Sequence, residues 1–417
     1  MRTANARPGQ DWRWLVAVFF AAQLVETVGV SQVFALLPSY LLQLGVPETE
    51  RLAFVGLYGS LMFVLGLPLV PLWGVWADKF SRKVVIVRSS LVMTAVLGMA
   101  ALANEPWQLA IAVMLIGLQL GNTGVMLAGI RDVTPRGRLG VTIALFGAAG
   151  PIGFAVGPIL AGLLIDGLGW SISGVYAASA ALALGIALVV ALGTVEIRPE
   201  VVPSGSTLRL ARSAIENVLA DHAVRRLFAV YGIVFLANQV SRPYTPVLVE
   251  GITGTGPGLA SGIGLVMGVG ALVGALSSPA AGYLGDRVGF RPVLVAALAT
   301  GGLASLAMPA APGLWLLAGA SVLLGAAVAT TGAMVMSLLA TEVPAERRSA
   351  TLNLVYLPLY VAGIVGPAIG GGIATVAGPA GPFVAGGIVF LGGAAAVAAA
   401  ARRRRVESGV PESPPLR

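Results

Sequence analysis

Two ionisable side chains lie inside long apolar stretches of the chain, where they could carry protons or bind charged ligands. Glu26 stands about 18 Å along the first stretch if that stretch is helical, and Arg242 stands in the seventh. The chain has no cysteine, which excludes disulfides, thiolate metal sites and cysteine nucleophiles. Its single histidine, His222, lies among charged residues. We therefore expect no cofactor, no metal and no enzymatic centre.

Glu26 is placed close to the bilayer centre, where a charged group costs roughly 2.5–3.5 kcal/mol on insertion scales. Protonating an ordinary glutamate at pH 7 costs about 3.7 kcal/mol, so the two penalties are comparable. Glu26 is therefore poised to hold a proton in a dry state and to lose it when water or a cationic ligand arrives. This predicts a proton-coupling or cation-binding carboxylate. A permanently protonated or hydrogen-bonded structural glutamate is the alternative.

Arg242 directly precedes Pro243, and the carbonyl that this proline frees from helical hydrogen bonding is available as a partner. A structural role and a functional role are both open for this arginine. In a functional role, Arg242 would either pair with Glu26 across the molecule or attract an anionic group of a ligand.

The stretches that hold these residues identify a membrane protein. Hydrophobic residues make up 57% of the chain and charged residues 11%, against roughly 25% charged residues in an ordinary soluble domain. A transmembrane helix needs about 20 mostly apolar residues. The sequence predicts an all-α integral membrane fold with twelve spans, at residues 14–38, 53–73, 84–103, 108–129, 140–164, 172–193, 226–249, 260–281, 292–310, 314–338, 350–374 and 382–401.

The basic residues indicate which way the spans point. With the N-terminus in the cytoplasm, the Lys and Arg residues fall in cytoplasmic segments or at adjoining span ends, apart from Arg51 and Arg242. This distribution follows the positive-inside rule, so the net charge of +8 is an orientation signal rather than a nucleic-acid surface. We expect a multi-pass protein of the plasma (inner) membrane with both termini in the cytoplasm.

The sequence repeats itself at a shift of 208 to 209 positions. The matching pairs are Pro38 with Pro246, Asp78 with Asp286, Pro135 with Pro344, and Gly157-Pro158 with Gly366-Pro367. Such a repeat predicts two pseudo-symmetric six-helix bundles with a substrate site between them near the bilayer midplane. The predicted organisation is a first bundle at 1–193, a cytoplasmic linker at 194–225, a second bundle at 226–401 and a basic cytoplasmic tail at 402–417.

A charged turn links spans 2 and 3 and has a counterpart between spans 8 and 9. The first copy reads GVWADKFSRK from Gly74 to Lys83, and the second reads GYLGDRVGFR from Gly282 to Arg291. One such turn is typical of a solvated loop that obeys the positive-inside rule. Two copies in matching positions favour a function for the turn.

These turns resemble the signature loop of the major facilitator superfamily, G-x-L-A-D-R-x-G-R-K, and the resemblance extends over essentially the whole chain. In that family the aspartate docks on the N-terminal end of the eleventh helix, a contact worth roughly 0.3–2 kcal/mol, and helps to hold the inner gate shut. The resemblance implies that Asp78 is this latch, with Arg82 and Lys83 in support. Asp286 and Arg291 occupy the matching positions of the second half.

Spans 5 and 11 each contain a run of small residues interrupted by a proline. Small residues four apart let helices approach closely, and neighbouring helices can satisfy the carbonyl that a proline frees. The predicted packing positions are Gly153, Gly157, Pro158 and Gly162 in span 5 and Gly366 and Pro367 in span 11. The run also resembles the G-x-x-x-G-P-x-x-G-G element of proton-coupled exporters, which favours export over import.

By the same resemblance, spans 1, 4, 7 and 10 line a central cavity. A mostly apolar cavity with a few polar groups and flexible methionines suits amphipathic ligands of varied shape. The candidate lining residues are Gln23, Gln32, Gln119, Asn122, Met126, Asn238, Gln239, Arg242, Tyr244, Met334 and Met336. Span 4 departs from the family pattern R-x-x-Q-G: its glycine aligns with Gly121, but Gly117 stands where the arginine associated with proton transfer is expected.

The resemblance to the drug:proton antiporter branch implies a secondary active transporter that exports amphipathic small molecules in exchange for protons, by alternating access. The expected partners are a small-molecule substrate, protons and the lipid bilayer, and not nucleic acid. The oligomeric state is open, with a monomer as one option. One alternative is a transporter of narrower specificity, for a sugar or for an organic anion bound through Arg242. The other is a non-transporting membrane receptor, which the short outer loops do little to support.

Overall fold

The computed structural model describes residues 11–196, 205–220, 222–342 and 357–408, and every regular element within these ranges is a helix. The predicted all-α fold is therefore confirmed. The helices of the first half are α1 (Trp12–Gln43), α2 (Glu48–Val64), α3 (Gly66–Lys79), α4 (Arg82–Leu102), α5 (Pro106–Leu115), α6 (Asn122–Val133), α7 (Leu139–Gly162) and α8 (Ile172–Gly193).

The second half repeats this succession after one short helix, α9 (Thr207–Leu219), in the predicted linker. Its helices are α10 (His222–Ser241), α11 (Thr245–Thr253), α12 (Leu259–Val288), α13 (Phe290–Ala307), α14 (Leu314–Glu342), α15 (Leu357–Ala377) and α16 (Gly381–Ser408). The predicted division of the chain at 193 and 226 stays a prediction. Residues 197–204, 221, 343–356 and 409–417, which include Pro344 and most of the predicted tail, lie outside the described residues.

Within the described part of the chain, eleven helical stretches are long and apolar enough to cross a membrane. The predicted seventh span, 226–249, falls on α10 and α11, which a 3-10 turn at Arg242–Tyr244 separates. With this interrupted segment the helices follow the twelve predicted spans in order. The last helix runs on to Ser408, beyond the predicted span end at 401.

Two spans of the first half are interrupted, and the interruptions touch each other. Span 2 breaks at Leu65 because Pro68 has no N–H to donate to the carbonyl of Val64. Span 4 breaks before Gly121, whose φ of +90° is a conformation that glycine adopts readily. A Cβ built on Gly117, in the 3-10 turn just before this break, would lie 2.6 Å from the backbone N of Gly66. Gly117 therefore has no room for a larger side chain.

The two halves pack along two seams. In the first seam, between α7 and α12, a Cβ on Gly264 would lie 2.7 Å from the carbonyl O of Pro158. In the second seam, between α2 and α15, a Cβ on Gly56 would lie 2.5 Å from the carbonyl O of Pro367. Because positions 56 and 264 are equivalent under the repeat, as are positions 158 and 367, the two seams are the same contact made twice.

The glycine of each Gly-Pro pair faces the opposite way from its proline. A Cβ on Gly157 would lie 2.7 Å from the carbonyl O of Val28 in α1, and a Cβ on Gly366 would lie 2.7 Å from the Cβ of Gln239 in α10. The glycine thus packs inside its own half, whereas the proline packs on the other half. One short motif therefore holds each half together and joins it to its partner.

Both seams lie toward one end of the bundle, the end that carries the connections at 44–47, 103–105 and 254–258, which we call the predicted outer face. There Arg51 Nη1 donates to both carboxylate oxygens of Glu250, at 2.9 and 2.8 Å. The backbone N–H of Ser261, in the first turn of α12, donates to Asp166 Oδ2 at 2.6 Å. These contacts join the halves across the predicted outer face.

At the opposite end, the predicted inner face, part of α7 has no neighbour among the described residues. A Cβ on Gly140, Gly147 or Gly150 of α7 would meet no neighbouring atom within 4 Å. A cavity of about 670 Å³ lies there between α1 and α7, lined by Trp12, Arg13, Val16, Ala17, Phe20, Gly137, Arg138, Val141, Thr142 and Leu145. All of these residues belong to the first half, so the second half does not cover this surface. Among the described residues, the halves are joined at the predicted outer face, whereas this surface of α1 and α7 at the predicted inner face is uncovered.

We expect Gly264→Ala to lower the thermal unfolding midpoint of the detergent-solubilised protein. The added methyl would press on the backbone of Pro158, and overpacking of this kind costs about 1–3 kcal/mol. Gly282→Ala is the matched control, since it lies on the same helix and its Cβ would meet no atom within 4 Å. Equal midpoints for the two variants would contradict the tight seam.

Candidate functional site

Glu26 is buried in the first half and accepts hydrogen bonds from four side chains. Ser90 Oγ donates to Oε1 at 2.8 Å, and Ser89 Oγ donates to Oε2 at 3.2 Å. Gln119 Nε2 and Asn122 Nδ2 each donate to Oε2 at 3.0 Å. Four neutral donors around one carboxyl group satisfy its acceptors without a direct ion pair.

The donors to Glu26 come from two spans. Ser89 and Ser90 are adjacent residues of α4, which approaches the middle of α1. Gln119 and Asn122 lie on either side of the break at Gly121 and are three residues apart, a spacing that places two side chains on the same face of a helical span.

Arg88 lies beside this cluster, with its guanidinium 3.6 Å from the ring centroid of Trp73. Its Nε, Nη1 and Nη2 atoms are all buried and find no hydrogen-bond acceptor among the described residues. It directly precedes Ser89 and Ser90, which both donate to Glu26. A buried cation without hydrogen-bond acceptors is costly. The carboxyl group of Glu26 is therefore the candidate counter-charge for Arg88.

Arg242 does not lie in this cluster. Its guanidinium contacts two aromatic rings of the first half and lies 4.6 Å from the centroid of Phe34 and 4.5 Å from that of Phe154. No Asp or Glu within the described residues forms an ion pair with it. The pairing of Glu26 with Arg242, one of the two functional roles considered for this arginine, is not formed in this structure.

The charged turn of the first half forms a network at the predicted inner face. Arg82 donates to Asp78 Oδ1 from Nε at 3.0 Å and from Nη2 at 2.8 Å, and its Nη1 donates to Asp132 Oδ2 at 2.5 Å. Lys83 Nζ donates to the carbonyl O of Thr194 at 2.7 Å, which ties the turn to the end of span 6. The N-terminal end of the eleventh span lies outside the described residues, so the latch role of Asp78 stays a prediction.

In the second half, Asp286 is exposed and Arg291 is partly exposed. Arg287, between them, places its guanidinium 4.4 Å from the ring centroid of Tyr283. The two copies of the turn therefore differ in their contacts, and Phe290 stands at the position equivalent to Arg82.

The remaining candidate cavity residues are spread over several environments. Gln32 accepts a hydrogen bond from Ser179 Oγ at 2.6 Å, and Tyr244 Oη donates to the carbonyl O of Leu52 at 3.3 Å, across the two halves. Gln239, Met126 and Met334 are buried against neighbouring helices. The partly exposed members are Gln23, Asn238, Arg242 and Met336.

Sequence reasoning missed several residues of the site. Arg88 counted as a basic residue at a span end, yet it lies six residues into α4. The signal that could have identified it is the polar run Arg88-Ser89-Ser90 inside an otherwise apolar span. Glu250, the partner of Arg51, was missed because the two residues are far apart in the sequence and meet only when the halves close.

The comparisons with known proteins agree with this architecture. A sequence model of the Major Facilitator Superfamily matches residues 15–262 and 227–416. "Multidrug resistance protein MdtG" of Enterobacter lignolyticus is 27% identical over 366 residues, which cover 87% of this chain and 86% of that protein.

Solved structures show the same fold. A point mutant of the nucleoside transporter NupG matches with a TM-score of 0.76 and 15% identity, over 93% of this chain and 99% of that one. The human organic anion transporter MFSD10 matches with a TM-score of 0.67 and 18% identity, over 93% of this chain and 100% of that one. The chain belongs to the Major Facilitator Superfamily of membrane transporters.

Proposed function

We propose that this protein exports amphipathic small molecules across the inner membrane in exchange for protons. The observation that carries the proposal is the cluster around Glu26, a buried carboxyl group with four hydrogen-bond donors and an unpaired cation beside it. The multidrug resistance protein of Enterobacter lignolyticus, which is similar over most of this chain, supports export of drug-like molecules.

The cluster is suited to holding a carboxyl group in either protonation state. An ionised Glu26 accepts all four hydrogen bonds as they stand. A protonated Glu26 needs an acceptor, and Asn122 Oδ1 is buried without a donor. Rotating the Asn122 amide by half a turn would exchange its oxygen and nitrogen and provide that acceptor. Glu26 can therefore gain and lose a proton without leaving a polar atom unpaired on its own side chain.

Transport then follows from opening one face at a time. With the inner face open, substrate enters from the cytoplasm between the halves. Opening the two glycine seams and the Arg51–Glu250 ion pair releases it outside and admits a proton to Glu26. In this scheme the bundles at 1–193 and 226–401 move as two bodies, and both termini stay in the cytoplasm.

Glu26→Gln should abolish proton-driven export while leaving expression and thermal stability intact, since the amide cannot release a proton. The measurement is efflux of a panel of amphipathic dyes and drugs of both charges, from cells with and without an uncoupler and from proteoliposomes with an imposed pH gradient. Glu50→Gln, at an exposed position on α2, is the matched control and should transport normally. Unchanged efflux by Glu26→Gln would remove Glu26 from the mechanism.

Arg88→Met should shift the pH profile of proton-driven transport, because it removes the positive charge that directly precedes Ser89 and Ser90, two of the residues that donate to Glu26. Arg88→Lys keeps the charge and should shift the profile less. The exposed Arg209→Gln is the control. A lower unfolding midpoint with an unmoved pH profile would assign Arg88 a purely structural role.

Asp78→Asn should slow transport several-fold with normal expression, because the neutral amide weakens the hold on Arg82 at the inner face. Initial rates of proton-driven uptake into inside-out vesicles measure this effect. Glu216→Gln on the linker helix α9, where the carboxylate is exposed, is the control. Rates equal to those of the unmodified protein would count against a gating role for Asp78.

A further inference from the structure

The position of Arg242 under the sequence repeat places it at the centre of the molecule. A shift of 208 residues relates Arg242 to Phe34, and these two equivalent residues are in contact, with the guanidinium 4.6 Å from the ring centroid. Equivalent positions of two symmetry-related units touch only next to the axis that relates them. Arg242 therefore lies beside the pseudo-symmetry axis, where the two halves meet.

Along α7, Arg242 lies at the level where the closed seam gives way to the open cleft. Pro158 packs on α12, whereas Gly147 and Gly150 face open space. Phe154, the other ring against Arg242, falls between these two levels. Arg242 is partly exposed, and the outer side above it is sealed by Tyr244 against α2 and α15. The exposed part of the Arg242 guanidinium therefore faces the inner cleft, at the end of the cleft nearest the outer face.

The surroundings of Arg242 restrict what it can bind. The rings of Phe34 and Phe154 lie within 4.6 Å of the guanidinium carbon, and these hydrocarbon rings offer its N–H donors no oxygen or nitrogen acceptor. Within the described residues no carboxylate pairs with these donors. Asn238, four residues earlier and partly exposed, adds a neutral amide about one helical turn closer to the inner face. In-plane guanidinium donors match a carboxylate in bidentate geometry.

We propose that Arg242 is the substrate-recognition residue for an anionic group, a carboxylate above all, on an otherwise apolar or aromatic substrate. The anionic group would bind the free edge of Arg242, and the apolar body would lie against the uncovered walls of α1 and α7. This inference rests on the proposed function in one respect: it takes the molecule bound at Arg242 to be the molecule that is transported. It makes the substrate an amphipathic acid rather than an amphipathic cation.

The test is equilibrium binding to the purified full-length protein in neutral detergent. The probes are benzoate, 2-naphthoate and 9-anthroate, each compared with its neutral carboxamide and its cationic aminomethyl analogue. We expect the unmodified protein to bind the acids roughly tenfold more tightly than the amides, as for a hydrogen bond to a charged group. Arg242→Gln should bring this ratio to about one, and Arg242→Lys should keep part of it. Arg242→Glu should favour the amines.

The charge-matched control is Arg209→Gln, which should keep the full preference for the acids. Equal binding of acids and amides by the unmodified protein, or no binding of any acid, would overturn the proposal. Displacement of the acids by phosphatidylglycerol would also overturn it, because the anionic site would then belong to a lipid headgroup. Preference for the acids without proton-driven export would leave this site standing and refute the proposed exchange mechanism.

Discussion

The close approach of backbones at the two Gly-Pro seams is the contact on which the rest of this structure depends. In each seam, glycine on one half leaves space for the proline carbonyl of the other, at positions 264 and 158 and again at positions 56 and 367. Lipid offers no hydrophobic reason for helices to associate, so tight van der Waals packing between small residues has to supply the attraction. Because the contacts of the α7–α12 seam lie toward one face, they hold that face shut and leave the surface of α1 and α7 at the opposite face uncovered among the described residues.

The three embedded charges meet the cost of leaving water in different ways. Glu26 is surrounded by four hydrogen-bond donors, Arg88 is stacked on Trp73 with its buried nitrogens unpaired, and Arg242 lies between two rings with its edge exposed. Burying a polar atom without a hydrogen-bond partner costs between about 1 kcal/mol and several kcal/mol of folding free energy. Arg88 is therefore the least satisfied of the three, and a movement that brought it to Glu26 would be favourable.

The sequence predicts the spans because apolar runs are a local pattern, but it names only one side of each seam, since Gly56 and Gly264 are not among the predicted packing positions. Apolar runs of about 20 residues identify the helices, and the paired Gly-Pro runs identify the places where helices approach. The neighbours of Glu26 were harder to predict, because they come from spans whose rotation about their own axes is set by packing. Gln119 and Asn122 were assigned to the cavity wall, yet they donate to Glu26.

The repeat also shows how the two halves differ in chemistry. The position equivalent to Glu26 in the second half is Val234, which is buried, whereas the position equivalent to Arg242 in the first half is Phe34. Glu26 and Phe34 are separated by about 12 Å of helical rise along α1. The carboxyl group thus lies inside the first half, and the guanidinium lies on the second half at the axis. A proton and an anionic substrate bound at these places would not compete for one site. Their exchange would have to be coupled through the movement of the halves rather than by direct displacement.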